Sequence, residues 1–193
     1  MTPTEFAVKT LYWFFLYGFI GWGVEVVYAA IKTHKLVNRG FLCGPICPIY
    51  GFGMVGLIYS VSLIPMPDSG SMSAVAIFFI GMILTTAIEL VGGWALFKIY
   101  HIRWWDYSNC KYQINGRICL TNCIFFGLGC VLLCHVVNPP VLRWLMGIGP
   151  EYTVPVASFL FGLYIMDNVL SIRSAFQLSH RLDKLQKIQQ EIR

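Results

Sequence analysis

Long apolar runs separated by short polar segments dominate the chain, and their lengths predict helices that cross a membrane. A crossing helix needs about 20 consecutive apolar residues, because the hydrocarbon core of a bilayer is roughly 30 Å thick. Five runs meet this requirement, at residues 10–31, 45–64, 74–97, 120–138 and 154–172. The pattern therefore predicts an all-α integral membrane protein with about five transmembrane helices.

The last twenty residues differ from the apolar runs. Residues 1–173 form the predicted transmembrane domain, and residues 174–193 form a short cytoplasmic tail. In this tail Leu178, Leu182 and Leu185 recur at helical spacing among charged and polar residues. The spacing predicts a C-terminal amphipathic helix, which either lies on the inner leaflet or docks a cytoplasmic partner.

Composition agrees with a membrane location. The chain is 57% hydrophobic and only 12% charged, whereas a soluble domain usually carries about 25% charged residues. The first apolar run does not fit a cleaved secretory signal, because it is too long and contains Glu25. Most of the protein surface is therefore expected to contact membrane lipids.

Lysine and arginine are concentrated in three segments, which follow the first, third and fifth apolar runs. With five crossings these segments lie on one side of the membrane, and the positive-inside rule assigns that side to the cytoplasm. We therefore expect a multi-pass protein of the plasma membrane with its N-terminus outside and its C-terminus in the cytoplasm. The net charge of +5 follows from this bias, and no motif for binding nucleic acid is present.

The chain contains two similar halves. A shift of 76 positions places Gly40, Cys43, Cys47 and Gly51 over Gly116, Cys119, Cys123 and Gly127. Glu25 and Glu89 occupy similar places in the first and third runs, but 64 positions separate them, so the second half holds about twelve more residues. We interpret residues 10–64 and 74–138 as parallel two-helix repeats related by an axis along the membrane normal. Chance similarity between two apolar hairpins is the alternative.

Three acidic residues, Glu25, Glu89 and Asp167, lie inside predicted crossings near their cytoplasmic ends. A charge at bilayer depth costs about 2.5–3.5 kcal/mol, so such side chains usually face the interior of the helix bundle. We expect the three to converge on one polar pocket, where they would bind a cation, relay protons or act as acid and base. Structural ion pairing with nearby arginines is the alternative.

Glycine recurs at the starts of the second and fourth predicted helices, and the second start also holds Pro45 and Pro48. The stretch GFLCGPICPIYGFG, residues 40–53, places Arg39 beside one start, and Arg117 lies beside the other. Unpaired N–H groups at a helix start favour an anion, a phosphate or a carboxylate, although capping and packing of the glycines explain the same pattern. In the segment WWDYSN, residues 104–109, the tryptophans suit an interfacial belt, and Asp106 either caps a helix or contacts a substrate.

Cysteine pairs recur at CxxxC spacing, Cys43 with Cys47 and Cys119 with Cys123. Zinc sites usually use CxxC, and a small apolar residue is a common use of cysteine in a membrane helix. The sequence therefore predicts neither a metal nor a cofactor. A phosphate-binding GxxxxGK[ST] motif is absent as well, so we expect no ATPase activity of the P-loop type.

Four strings, FIGWGVEVVY, VNRGFLCGPICPIYGFG, RWWDYSN and NGRICLTN, resemble a bacterial multi-pass membrane family named ABC-transporter type IV. The resemblance covers most of residues 10–135 and implies transport. It places Glu25, Tyr50 and Tyr107 on motif positions, among others. Together with the acids above, the predicted substrate-binding residues are Glu25, Asn38, Arg39, Tyr50, Glu89, Asp106, Tyr107, Asn115, Arg117 and Asp167.

Three functions fit these observations. The first is a small permease-like transport component for a small-molecule or ionic substrate, which lacks its own ATPase and works as a homodimer or with a separate ATPase. The second is a membrane-embedded enzyme at the cytoplasmic leaflet, with Glu25 or Glu89 as acid or base and a phosphate held by Arg39 or Arg117. The third is a scaffold or regulatory subunit whose tail recruits a cytoplasmic partner.

Overall fold

Helices dominate the computed structural model, which describes residues 2–38, 40–63 and 73–191. The helices are α1 (Pro3–Thr33), α2 (Pro48–Ser62), α3 (Ala74–Tyr100), α4 (Leu120–Leu132), α5 (Asn138–Met146) and α6 (Pro150–Glu191). A π-helical turn, Leu133–Val137, joins α4 to α5. Two short strands, β1 (Gln113–Ile114) and β2 (Ile118–Cys119), form an antiparallel hairpin between α3 and α4. The predicted all-α class is confirmed.

Four helical segments are long and apolar enough to cross a membrane: Pro3–Thr33, Ala74–Tyr100, Leu120–Leu145 and Glu151–Leu182. Helix α2 is apolar but has only 15 residues, which at 1.5 Å per residue gives a length of about 22 Å. Residues 64–72 lie outside the described part of the chain, so the second crossing, and with it the total of five, stays a prediction.

Helix α2 begins beside the middle of α1. The N–H of Cys47 donates to the carbonyl oxygen of Gly18 at 2.9 Å, which lies about 22 Å before the end of α1 along its axis. At the far end of α2, the hydroxyl groups of Thr10 and Tyr59 hydrogen bond to each other. Residues 40–47 therefore fold back to the depth of Gly18 before α2 starts, and we call them the re-entrant segment.

A core of buried side chains lies between α1, α2, α3 and α4. Its members are Trp13, Tyr17, Met54, Leu57, Ile77 and Cys130. Tyr17 and Leu57 are almost fully buried, and the Tyr17 hydroxyl donates to Asn138 Oδ1 at 3.0 Å. This bond ties the core to the start of α5.

Each of the two helical hairpins contains an equivalent close contact between a glycine and a phenylalanine. A Cβ atom added to Gly51 would lie 2.7 Å from the ring and the carbonyl oxygen of Phe14. One added to Gly127 would lie 2.7 Å from the ring of Phe78 and 3.0 Å from its carbonyl oxygen. Each glycine therefore lets α2 or α4 approach the backbone of the preceding long helix.

Helix α6 has 42 residues and continues without a break through the predicted boundary at residue 173. Its length is about 63 Å, roughly twice the thickness of a bilayer core. No glycine or proline occurs between residues 163 and 191 to end it. In the described residues the predicted tail thus continues the helix of the last predicted crossing, and its position relative to the leaflet stays a prediction.

Candidate functional site

Two carboxylates each accept a hydrogen bond from a tyrosine. Tyr50 donates its hydroxyl to Glu25 Oε1 at 2.7 Å, and Tyr107 donates to Glu89 Oε1 at 2.8 Å. The amide nitrogen of Asn122 donates to the hydroxyl oxygen of Tyr107. These five residues, Glu25, Tyr50, Glu89, Tyr107 and Asn122, form what we call the carboxylate–tyrosine layer.

The two halves of the layer lie within electrostatic range of each other. Glu25 is near enough to Glu89 and to Tyr107 for its charge to act on both. Tyr50 and Tyr107 are likewise within electrostatic range of each other. The structure therefore brings together four of the residues singled out from the sequence, which are contributed by α1, α2, α3 and the segment that precedes β1.

Glu89 is the most deeply buried member of the layer. Only 3% of its surface is exposed, and its second oxygen, Oε2, has no hydrogen-bond partner among the described residues. An ionised carboxylate placed away from water is costly unless it is paired or hydrogen bonded. The site is therefore suited to a further positively charged or hydrogen-bond-donating group beside Glu89 Oε2.

Tyr107 acts as the donor to Glu89. Burial, followed by the negative charge of Glu89, raises the pKa of the Tyr107 hydroxyl above its ordinary value. The hydroxyl thus keeps its proton at neutral pH and directs it at Glu89. Since Asn122 then donates to the same oxygen, the orientation of the phenol is fixed from both sides.

Glycine in α1 makes room for Tyr50. A Cβ atom added to Gly21 would lie 2.2 Å from Cγ of Tyr50 and 2.5 Å from its Cβ, whereas one added to Gly23 would have nothing within 4 Å. The hydroxyl of Tyr50 can therefore reach Glu25 only while residue 21 lacks a side chain.

We expect Gly21→Ala to displace Tyr50 from Glu25 and to lower the free energy of unfolding by about 1–3 kcal/mol, the usual cost of overpacking. Gly23→Ala, one half-turn away, should leave the site unchanged. It should raise the free energy of unfolding by up to about 1 kcal/mol, because alanine has a higher helix propensity than glycine. Thermal unfolding of the two variants in detergent measures the contrast. Equal effects of both substitutions would contradict the described packing.

Asp167 anchors the re-entrant segment. Its carboxylate accepts hydrogen bonds from the N–H groups of Cys43 at 3.1 Å and of Gly44 at 3.0 Å. The hydroxyl of Ser171 donates to the same carboxylate at 3.2 Å. A Cβ atom at Gly44 would lie 2.8 Å from Asp167 Oδ2, so a side chain there would displace the carboxylate. The partners described for Asp167 belong to this anchor and not to the carboxylate–tyrosine layer, whereas the sequence predicted that Asp167 shares one pocket with Glu25 and Glu89.

Asn38 organises the same segment from its other end. It accepts a hydrogen bond from Trp22 Nε1 at 3.0 Å and donates to the carbonyl oxygens of Leu42 and Cys43. Its role in the described structure is to fold residues 40–43 against α1. The neighbouring Arg39, also expected at the site, lies outside the described residues.

Asp106 lies in a local turn. It accepts hydrogen bonds from the hydroxyl and the N–H of Ser108, and Arg103 lies 3.6 Å away. The Ser108 hydroxyl, then the Ser108 N–H and Arg103, hold the pKa of Asp106 below its ordinary value. In the described structure these contacts make Asp106 a turn residue and not a helix cap, and its contact with a substrate stays a prediction.

Asn115 and Arg117 belong to the β1–β2 hairpin. Asn115 and Gly116 have φ angles of 51° and 67°, and the N–H of Arg117 donates to the carbonyl oxygen of Ile114 at 3.0 Å. Two successive positive φ angles are typical of a type I′ turn. The contacts described for Asp106, Asn115 and Arg117 do not reach Glu25 or Glu89.

Several features of this region were not predicted from the sequence. The Asn115–Gly116 pair is a strong hairpin signal, whereas the segment was predicted only to be basic and to lead into a helix start. Asn122 and Ser171 were missed because single polar residues in apolar runs gave no sign of their partners.

In the described part of the chain, no group of three or more histidine, cysteine or acidic residues is arranged to hold a metal ion.

Comparison with known proteins places the chain in one family. No curated protein and no solved structure matches it. The model of the family described as "Putative ABC-transporter type IV" matches residues 12–172, which include all four long apolar segments in whole or in large part. The chain is thus a multi-pass membrane protein that belongs to this family of ABC-transporter type.

Proposed function

We propose that this protein is a membrane transport component that binds a small cation at the carboxylate–tyrosine layer. The family supports a transport role in general terms. The observation that carries the proposal is the oxygen Oε2 of Glu89, which is buried and lacks a hydrogen-bond partner among the described residues. A bound cation would offset the cost of that buried charge.

The chemistry of the layer supports a cation over an anion. Glu25 and Glu89 supply two carboxylates within electrostatic range of each other, and the hydroxyl oxygens of Tyr50 and Tyr107 are hydrogen bonded to them. Carboxylate and hydroxyl oxygens are ligands that hard cations and ammonium groups prefer. Acidic residues inside transmembrane bundles also commonly mark ion pathways.

The re-entrant segment supports a transport role for the layer. Non-helical backbone at membrane depth is tolerated only where protein buries it or where it lines a cavity. In secondary transporters, interrupted helices of this kind form substrate sites near the bilayer midplane. Here the segment ends at Cys47, three residues before Tyr50, so a movement of the segment would shift a ligand-binding tyrosine.

We further propose that the two hairpins are copies of one unit and that the layer faces the cytoplasmic half of the membrane. The Gly51–Phe14 and Gly127–Phe78 contacts support the duplication, because the glycines differ by 76 positions and the phenylalanines by 64, as Cys43/Cys119 and Glu25/Glu89 do. The N-terminus would then lie outside. A second copy or a separate ATPase would complete the transporter.

The test is cation binding by the purified protein in detergent. Unfolding temperature is measured against increasing Na⁺, K⁺ or methylammonium, with bulky N-methylglucamine keeping the ionic strength constant. Saturation by one small cation at 100 times its dissociation constant should stabilise the protein by about 2.7 kcal/mol. If the three small cations change the unfolding temperature no more than N-methylglucamine does, the proposal is wrong.

A further inference from the structure

A small crevice lies near the C-terminal end of α3, about one helical turn beyond Glu89. It is lined by Gly93, Leu96, Phe97, Arg103, Trp104, Trp105 and Arg117. The residues come from the last turns of α3, the segment that follows it and the β1–β2 hairpin. The proposed cation site makes no use of them.

Two guanidinium groups meet at this crevice. Arg103 lies 5.7 Å and Arg117 lies 5.8 Å from the centroid of the same Phe97 ring. Arg103 has Asp106 at 3.6 Å, whereas Arg117 has no carboxylate at ion-pair distance in the described part of the chain. The local charge is therefore positive, and one arginine keeps its full capacity to bind an anion.

Trp105 forms one side of the crevice and is held in place by two contacts. Its indole nitrogen donates to the carbonyl oxygen of Arg117 at 3.1 Å. Its ring lies so close to Gly93 that an added Cβ atom would be 2.8 Å away. The backbone of Arg117 is thus fixed on α3, and its guanidinium is held beside the helix surface.

An exposed apolar stripe adjoins the two arginines. Leu90 and Trp94 are 37% and 47% exposed, and with Phe97 they follow the i, i+4, i+7 spacing of one helix face. Lys98 adds a third cation, with its Nζ 4.9 Å from the centroid of the Trp94 ring. Positive groups therefore lie beside a partly exposed apolar surface.

We propose that this crevice binds an acidic phospholipid, with the headgroup phosphate on Arg103 and Arg117 and an acyl chain along Leu90 and Trp94. Arginine suits a phosphate because its planar fork can donate two parallel hydrogen bonds. The apolar stripe favours a lipid over free phosphate, since only a lipid covers both surfaces at once. Basic clusters at the end of a transmembrane helix commonly attract anionic lipids.

Native mass spectrometry tests this assignment on the full chain in detergent with equal amounts of phosphatidylglycerol and phosphatidylcholine. We expect the wild-type protein to retain phosphatidylglycerol preferentially. The double variant Arg103→Gln/Arg117→Gln should retain it about thirtyfold less, because each arginine near a membrane surface contributes about 1 kcal/mol. Arg143→Gln, in α5, serves as the control and should retain it like the wild type.

Three outcomes would overturn the proposal: equal retention of both lipids, full retention by the double variant, or displacement of phosphatidylglycerol by millimolar inorganic phosphate. An Arg117→Lys variant controls for misfolding, because lysine preserves the charge. Its retention of phosphatidylglycerol should fall only a few-fold. Glu89→Gln should retain phosphatidylglycerol normally, so failure of the cation site and failure of the lipid site give different results.

Discussion

Replacing Glu89 by Gln is expected to abolish the stabilisation by small cations while leaving the protein folded. The substitution preserves the shape of the side chain, and its amide oxygen can still accept the hydrogen bond from Tyr107. It removes one of the two charges that would hold the cation. At about 4 Å and an effective dielectric constant of about 20, that attraction amounts to about 4 kcal/mol, so we expect affinity to fall by a hundredfold or more.

The cation-free variant should also unfold at the same or a higher temperature than the wild type, because a buried charge without a partner is costly. A merely structural carboxylate would give the opposite result, a loss of stability. Glu151→Gln is the matched control, since Glu151 is exposed in the first turn of α6. Cation titrations followed by thermal unfolding compare the three proteins, and an unchanged cation response in Glu89→Gln would place the binding site elsewhere.

Asp167→Ala is expected to release the re-entrant segment and to lower the free energy of unfolding by about 3–5 kcal/mol. The carboxylate accepts the N–H groups of Cys43 and Gly44, and a hydrogen bond to a charged group contributes about 1.5–3 kcal/mol. In the variant Gly44 loses the acceptor described for its N–H, while Cys43 keeps a bond of 2.9 Å to the Ser171 hydroxyl. Equilibrium unfolding in mixed micelles measures the loss.

Asn168→Ala provides the control for Asp167→Ala, because the amide of Asn168 donates to Tyr164 within its own helix. We expect it to change stability by no more than about 1 kcal/mol. Alkylation of the buried Cys47, followed by mass spectrometry of its peptide, reports the position of the segment. Cys47 should react faster in Asp167→Ala than in Asn168→Ala, and equal rates would mean that Asp167 does not hold the segment in place.

Hydropathy and charge predicted much of the helical framework, because the length of an apolar run is fixed by the thickness of the bilayer. They did not predict the depth at which a helix begins. The run 45–64 was predicted to cross the membrane in full. In the structure α2 begins at Pro48, beside the middle of α1. That depth depends on the hydrogen bond between Cys47 and Gly18 and on the anchor at Asp167, both of which join residues far apart in sequence.

The same distinction applies to the site. Glu25 and Glu89 could be predicted as site residues because burying a charge is costly. The structure places them within electrostatic range of each other. Spacing along the chain could not show that Asp167 holds a loop, because its backbone partners lie more than 120 positions away. Nor could it pair Glu89 with Tyr107, which comes from the segment that lengthens the second half.

The unbroken course of α6 has a mechanical consequence. Helix α6 contacts α1 through Tyr164, holds the re-entrant segment through Asp167, and donates a hydrogen bond from Ser179 to the carbonyl oxygen of Tyr100 at 2.8 Å. A rotation of α6 would therefore be passed to the re-entrant segment through Asp167. The segment would in turn displace Tyr50, the tyrosine beside Glu25. Such coupling would link the C-terminal part of this helix to the carboxylate–tyrosine layer.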